Sequence, residues 1–324
     1  MAEPGSLKIV CRMDLGFAEL SAVFRNVPGP SLVEATSFGD LEREIPDAQG
    51  LIIYNNRYTA EVAALIRRRG RALRWIQFAT AGLDNAHKFG VPDGCVVCNA
   101  ADVWAPTVAE HAMALLLGLV RQVHLFERRR QGGEGSREAL AGGLVSLQDF
   151  TIAVVGVGSI GREFACRAKS FGCRLIGVTR TPREVDGFDE CLPLDRLHVA
   201  LAQADAVVLS IALTPETRHL VGCNAFAAMK ESAILINVSR GDVVDEAALI
   251  EALQDGRLAG AGLDVFSVEP LPSESPLRRL PNVILSPHVA GFGAAKTVER
   301  LVDLCHDNIA RFVDGRPLRN VVEI

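Results

Sequence analysis

The sequence predicts an α/β protein of two lobes, each a parallel sheet covered by helices. Short apolar runs alternate with amphipathic stretches along the chain, the order of repeated βα units. Runs such as AVVLSI at 206–211 are apolar on both faces, as strands covered on both sides require. The length, 324 residues, corresponds to about two domains.

The first group of strands is expected at LKIV, SLVEAT, GLIIYN, LRWIQFA and VVCN, between residues 7 and 99. A long helix then starts near Trp104. Thr107 is placed to cap it, and Glu110, three residues on, completes a capping-box spacing. A glycine-rich stretch, Gly132 to Gly143, leads into a second group of strands: TIAVVGVG, CRLIGVTR, AVVLSIA, AILINVS, AGLDVF and NVILS. A final helix spans about Lys296 to Val313, with Val298, Leu301, Val302, Leu304, Cys305 and Ile309 on its apolar face.

Composition narrows the functional classes. With 49% hydrophobic and 23% charged residues the chain is a folded globular protein. A net charge of -5 does not invite nucleic acid or an anionic membrane, so the arginines at 67–71 and 128–130 read as solvated helix ends. The N-terminus lacks the pattern of a signal peptide, and the longest uninterrupted apolar run, Ala112 to Val120, is too short to span a bilayer. The expectation is a cytoplasmic protein with no membrane partner. Eight scattered cysteines suit reduced thiols, and Cys95 and Cys98, though a CxxC, have no second pair or histidines nearby, so no metal site is expected.

The strand TIAVVGVG runs into GVGSIG, with Gly156, Gly158 and Gly161 in G-x-G-x-x-G spacing, followed by a helix and then another strand. That context is the one a dinucleotide needs. Gly156 permits the tight turn, Gly158 lets the backbone approach a pyrophosphate, and Gly161 lets helix and strand pack closely. The helix N-terminus offers free N–H groups to the phosphates. The next strand ends in GVTRTPR, where Thr179, Arg180, Thr181 and Arg183 stand in place of the acid that holds the ribose of NAD. Arginine pairs with a 2′-phosphate, so NADP(H) is favoured over NAD(H), with use of both as the alternative. Asp186 and Asp189 read as loop residues.

Three further segments end strands of the second group: INVSRGDVVDE, AGLDVFSVEP and LSPHVAG. They bring Arg240, Glu269 and His288 to the carboxyl edge of the sheet, where open α/β sheets bind ligands. Arg240 offers a charged fork that suits a carboxylate. His288 suits general acid–base work, and Glu269 suits a partner that orients its ring and stabilises the imidazolium. Each has a plainer reading: His288 as a satisfied loop histidine, Arg240 ion-paired with Asp242, Glu269 as polar surface. His111 reads as packed in its helix, and His87, His124, His198, His219 and His306 have no supporting context.

Taken with TVAEHA, GVGSIG, LTPETRHLV, NVSRG, GLDVFSVEP, SPHVAG and DGRPLRNVV, in this order over nearly the whole length, the chain resembles the D-isomer-specific 2-hydroxyacid dehydrogenase family, in particular its NADPH-preferring glyoxylate/hydroxypyruvate reductase-like members. The resemblance implies two Rossmann- or flavodoxin-like lobes, the cofactor lobe (101–288) inserted into the substrate lobe (1–100 and 289–324). It implies reduction of a small 2-keto acid to a D-2-hydroxy acid, with Arg240 on the carboxylate, His288 as general acid and Glu269 behind it. It also implies cofactor contacts at Thr107, Ser159, Ile160, Ala212, Thr217, Val238, Ser239, Asp264 and His288, with Ala212 standing where proline is common. Substrate contacts are implied at Ala81, Gly82 and Leu83 and, less typically, at Asn55. The loops around Asn55, Ala81 and Trp104 shape the pocket. The family's homodimers make the AMALLLGLV helix either an interface element or an internal one. Alternatives are a 3-phosphoglycerate dehydrogenase, for which an acid after the second cofactor strand and a further C-terminal domain would be expected, a formate or phosphite dehydrogenase, and a nucleotide-sensing corepressor-like protein of the same fold.

Overall fold

A computed structural model describes residues 7–13, 15–25, 29–132, 143–181, 184–293 and 295–324. The chain forms two compact units, Met1–Trp104 with Gly293–Ile324, and Ala105–Phe292. The divisions fall at Trp104 and Phe292 rather than at Ala100 and His288.

The first unit opens with β1 (Lys8–Arg12), α1 (Phe17–Phe24), β2 (Ser31–Glu34), α2 (Phe38–Glu44), β3 (Gly50–Ile53), α3 (Ala60–Arg69), β4 (Trp75–Phe78), α4 (Asp84–Phe89) and β5 (Val96–Cys98). Local chemistry sets the helix ends. The Ser37 hydroxyl accepts from the Asp40 N–H at 3.1 Å while the Asp40 carboxylate accepts from the Ser37 N–H at 3.0 Å, a full capping box for α2. Thr59 caps α3, and the arginine cluster is that helix's last turn, where cations meet the negative end of the helix dipole. Arg67 donates to the Phe89 carbonyl, and Arg68 and Arg69 both pair with Glu42.

Helix α5 (Ala101–Val120) is longer than expected and starts earlier. Asn99 begins it, its side-chain oxygen accepting from the Ala101 N–H at 3.3 Å. Thr107 therefore lies inside the helix instead of capping it; Pro106 is tolerated because it removes only one bond of an early turn. The expected continuous helix breaks at Gln122, which takes a φ of 52°, and resumes as α6 (Val123–Gly132). His124 ties the break, its ring nitrogens 3.1 Å from the carbonyls of Gly118 and Pro281. The glycine-rich stretch after Gly132 lies, up to residue 142, outside the described residues.

By length and composition α5, with a mean hydropathy of 1.5 in its best window, is apolar enough to cross a membrane; the uninterrupted run Ala112 to Val120 understates it. In the fold this apolar face is spent inside the second unit. Gly118 faces Ile284, and Gly260 and Gly262 face Leu119 and Leu115 so closely that a Cβ on Gly262 would stand 2.9 Å from Leu115. Leu115, Leu116, Leu119 and Val120 are buried. One face of AMALLLGLV thus packs inside the second unit.

The second unit continues with β6 (Thr151–Val155), α7 (Ser159–Lys169), β7 (Arg174–Thr179), β8 (Glu190–Pro193), α8 (Leu197–Gln203), β9 (Ala206–Leu209), α9 (Cys223–Ala228), β10 (Ile234–Asn237), α10 (Glu246–Gln254), β11 (Gly260–Leu263) and β12 (Val283–Leu285). All seven strands are parallel, in the order β12-β11-β10-β9-β6-β7-β8. The chain leaves β6 in one direction and returns beside it as β9, so the carboxyl ends of β6 and β9 flank the switch point where such sheets bind ligands. The central strands are buried at every position, each large aliphatic side chain contributing roughly 1.5–3 kcal/mol.

The chain then re-enters the first unit as α11 (Ala295–Val313) and β13 (Val321–Val322). That sheet runs β13-β5-β4-β3-β1-β2. β13 pairs antiparallel with β5, a departure from the all-parallel expectation. Neither β13 nor β8 was expected: β8 (ECLP) is an edge strand of mixed polarity, and β13 is only two valines, too short to stand out as an apolar run.

Candidate active site

In the second unit the expected residues gather at the carboxyl edge of one sheet. Gly156 follows β6 at a φ of 98°, and a Cβ there would stand 2.7 Å from the backbone of Ser210. At Gly161 a Cβ would stand 2.2 Å from the Gly156 carbonyl, so this glycine seats α7 against the strand. Around Gly158 nothing lies within 4 Å of a Cβ, which leaves open backbone at the helix N-terminus, beside Ser159 and Ile160. One crowded turn, one open approach and one packed glycine form a cradle that fits a pyrophosphate.

After β7, the Thr179 hydroxyl donates to the Thr181 carbonyl at 3.0 Å, closing the turn that exposes Arg180. Arg183 lies outside the described residues. The Arg180 charge reaches Glu216, whose carboxyl is held below the usual range by the Thr214 hydroxyl, its own N–H and Arg180. After β9, Thr217 is buried and braces its own loop, accepting from the Thr214 N–H and donating to the Ala212 carbonyl, both at 2.7 Å.

Arg240 is positioned by a residue the motif reading passed over. Asn237, 1% exposed at the end of β10, accepts from the Ser239 N–H at 3.0 Å and the Ser239 hydroxyl at 2.8 Å, and donates to the Arg240 carbonyl at 3.0 Å. Val238 is buried and donates to the Leu209 carbonyl. Gly241 explains the glycine of SRG: a Cβ would stand 1.9 Å from the Phe266 backbone, so only glycine lets the arginine loop touch the Glu269 loop. Asp242 pairs with Arg218 at 2.6 Å. Arg240 itself is half-buried and donates to the Ser239 carbonyl.

His288 Nδ1 lies 2.7 Å from Glu269 Oε2, and Glu269 Oε1 accepts from the Phe266 N–H at 3.1 Å. A carboxylate only accepts, so Nδ1 carries the proton and Nε2 is left for chemistry. The two side chains are 48% and 35% exposed, so both reach solvent. His288 has a φ of 53°, uncommon for a non-glycine residue, and its N–H donates to the Asp264 carbonyl at 2.7 Å. Beside the pair opens a cavity of about 500 Å³ lined by Phe266, Leu271, Leu285 and Ser286. Asp264 is buried, with both carboxylate oxygens turned onto the 286–290 loop. Thr107 is half-buried on α5.

In the first unit, Ala81, Gly82 and Leu83 form the loop between β4 and α4. Asn99 donates to the Ala81 carbonyl at 3.2 Å and Thr80 to the Gly82 carbonyl at 3.0 Å. Among the described residues no acceptor is seen for the N–H groups of 81–83, and Leu83 is buried. Asn55 accepts from the Asn85 N–H at 3.1 Å, and the Asn85 amide donates to the Asn55 carbonyl at 3.0 Å. Asn55 thus braces the loop, its side-chain oxygen engaged within the chain. Trp104 donates to the Ala79 carbonyl at 3.1 Å. Cys98 is buried, its thiol pushed up to about 11 by burial, and Cys95 donates to the Leu73 carbonyl.

Asn237, Asn99, Asn85 and Ser286 were not singled out in the sequence. Asn237 and Ser286 sit inside the quoted motifs NVSRG and SPHVAG, each a few residues from a charged one, and only that proximity marks them.

A parallel sheet with a glycine cradle at its switch point and an Arg, a Glu–His pair and a cavity along one edge defines a nicotinamide-dependent oxidoreductase. Comparisons with known proteins agree. The model of the D-isomer specific 2-hydroxyacid dehydrogenase, NAD binding domain, matches residues 113–290. A glyoxylate reductase of Korarchaeum cryptofilum is 37% identical over 258 residues, 77% of this chain and 76% of its own. A D-3-phosphoglycerate dehydrogenase of Methanocaldococcus jannaschii is 33% identical over 88% of this chain but 53% of its own, so the chain spans about half the length of that relative. The crystal structure of a D-isomer specific 2-hydroxyacid dehydrogenase from Xanthobacter autotrophicus Py2, in complex with NADPH and MES, superposes with a TM-score of 0.85 at 29% identity, covering 98% of each chain. The chain belongs to the D-isomer specific 2-hydroxyacid dehydrogenase family. It binds a nicotinamide cofactor through its second unit, the part the family model covers.

Proposed function

We propose that the protein reduces a small 2-keto acid, of the size of glyoxylate or hydroxypyruvate, to the D-2-hydroxy acid, with NADPH as the preferred reductant. The observation that carries the reading is the Glu269–His288 contact of 2.7 Å on the same sheet edge as Arg240 and the glycine cradle. The residues fit the cofactor: Gly156, Gly158 and Gly161 for the pyrophosphate, Arg180 with Thr179 and Thr181 for a 2′-phosphate. When bound, the reduced nicotinamide supplies the hydride. Arg240 binds the substrate carboxylate and draws electron density from the adjacent carbonyl. His288 gives its Nε2 proton to the developing alkoxide, and Glu269 holds the ring and offsets the imidazolium charge. In the direction of oxidation His288 takes that proton from the hydroxyl.

NADP preference rests on the exposed arginine where an acid would repel a phosphate, and on the NADPH held by the Xanthobacter relative. Arg180→Ala is expected to weaken NADPH by about tenfold and NADH by less than twofold, in line with the loss of a charge-assisted bond. Fluorescence titration of both nucleotides measures this; equal effects on the two would remove Arg180 from recognition. A homodimer in the cytoplasm completes the reading.

A second reading, oxidation of 3-phosphoglycerate, has the Methanocaldococcus relative in its favour. One assay separates the two. Purified protein is given NADPH or NADH with glyoxylate, hydroxypyruvate, pyruvate and branched 2-keto acids, and NAD or NADP with 3-phosphoglycerate, and absorbance of the reduced nicotinamide is followed. Oxidation of NADPH by a small keto acid is the expected result. Reduction of NAD by 3-phosphoglycerate alone gives the second reading, and tight nucleotide binding without turnover removes both.

A further inference from the structure

Behind the Glu269–His288 pair runs a second chain of polar groups, for which the proton transfer derived above has no use. Asp264, at the end of β11, is 1% exposed. Its Oδ1 accepts from the Ser286 hydroxyl at 2.7 Å and the Val289 N–H at 2.9 Å, and its Oδ2 from the Ala290 N–H at 2.9 Å. Its backbone carbonyl accepts from the His288 N–H at 2.7 Å. Asp264 therefore holds the turn that carries His288 in its left-handed conformation twice over, through its buried carboxylate at 286, 289 and 290 and through its backbone carbonyl at 288.

The outer end of the chain is His111, on α5, whose Nε2 lies 2.7 Å from the Ser286 hydroxyl and 3.4 Å from Asp264 Oδ1. A hydroxyl has one proton. Ser286 gives it to Asp264, which as a carboxylate can only accept. The short contact to His111 must then be Nε2–H donating to Ser286, and this fixes the His111 ring as the tautomer protonated at Nε2. Without that donor the Ser286 hydroxyl has nothing to satisfy its outward lone pair and is free to rotate away from Asp264. The carboxylate then loses one of its three supports.

We propose that His111 is a positioning residue for His288. By donating to Ser286 it locks the hydroxyl onto Asp264, and Asp264 in turn holds residues 288–290. The helix that buries its apolar face on β11 and β12 thereby also fixes the direction in which the general acid presents Nε2. This rests on the reading of His288 as the general acid.

The test uses His111→Leu, which keeps bulk but no donor, His111→Gln, whose amide N–H has about the reach of Nε2, and Ser286→Ala. Expected is a kcat about tenfold lower for His111→Leu with the NADPH Kd unchanged, since small misplacement of a reacting group carries losses of this order or more. His111→Gln recovers to within about threefold of wild type. Ser286→Ala matches His111→Leu, and the double variant is no slower than either, because both break one chain. Nitrogen-15 spectra of the rings show wild-type His111 protonated at Nε2 and the preference lost in Ser286→Ala. Wild-type kcat in His111→Leu, a His111→Gln as slow as His111→Leu, or a wild-type ring protonated at Nδ1 overturns the proposal. A wild-type protein inactive on every 2-keto acid overturns the functional reading instead, and the ring spectra then decide the polar chain by themselves.

Discussion

The loops at the carboxyl ends of the two sheets are held by different chemistry. In the second unit they are held chiefly by close backbone approach and one buried carboxylate, with the Asn237 amide behind Arg240: Gly161 against the Gly156 carbonyl, Gly241 against Phe266, and Asp264 under the His288 turn. In the first unit they are held by side-chain amides: Asn99 on Ala81, Asn85 and Asn55 on each other, with Gln77 and Asn308 buried beneath. A contact that only glycine allows has no graded substitute. An amide brace does, because another donor of similar reach still closes part of the same bond. The second unit is thus built to hold its reactive groups in one arrangement, and the first to hold a loop whose outline can change.

The comparison is broken most directly at its centre. His288→Ala is expected to lower kcat by about 10²–10⁴-fold, the range of a general acid, while NADPH still binds. Stopped-flow kinetics with a parallel binding titration measures both, and retained turnover would take His288 out of the mechanism. Gly241→Ala comes next, since its Cβ would fall 1.9 Å from the Phe266 backbone. The two loops must part, and kcat is expected to drop by about 10²-fold because Arg240 and Glu269 move with them. The amide side of the comparison is sharpened by Asn55→Ala, for which KM for the keto acid rises about three- to tenfold with kcat and nucleotide affinity nearly unchanged, the loss of a bond worth roughly 1 kcal/mol. A collapse of kcat here would show the first unit to be as rigid as the second.

The smallest effect lies away from both loop sets. Asp189 is held below the usual carboxylate range by the Lys169 ammonium, 2.6 Å away, and by the Leu175 N–H. Its folded value is depressed, so its contribution to stability is present above the ordinary aspartate value near 3.9 and fades as pH falls through the lower folded value. Lys169→Met should therefore lower Tm slightly at pH 7, with the difference from wild type shrinking as pH falls below the ordinary aspartate value. A difference independent of pH would show that the pair acts through packing.

Reading the sequence captured what repeats or stands out chemically. The buried strands, the glycine cradle, Arg240, Glu269 and His288 are legible because apolar runs, glycine spacing and charged residues after strands each have a physical meaning by themselves. Thr107 misled because a capping-box spacing is local, whereas the helix start was decided by Asn99 and by the tolerance of an early turn for Pro106. β8 and β13 were missed because edge strands of four and two residues carry no apolar run. His111 and Ser286 look ordinary in sequence, 175 positions apart, and only the fold brings them within 2.7 Å. The bond from the Asn85 N–H to the Asn55 side-chain oxygen, 30 positions apart, likewise shows only in the fold.

The antiparallel pairing of β13 with β5 has a consequence for how the protein comes into being. Residues 321–322 close a sheet begun at residue 8, and Asn308 fills the buried amide partner of Gln77. The inserted unit is one continuous stretch and has every strand it needs as soon as its own residues have left the ribosome. The unit whose residues emerge first must wait for the last ones, its edge strand uncovered meanwhile, because domains fold as units when their chain is in hand. Of the two units, the one started earlier is the one finished later.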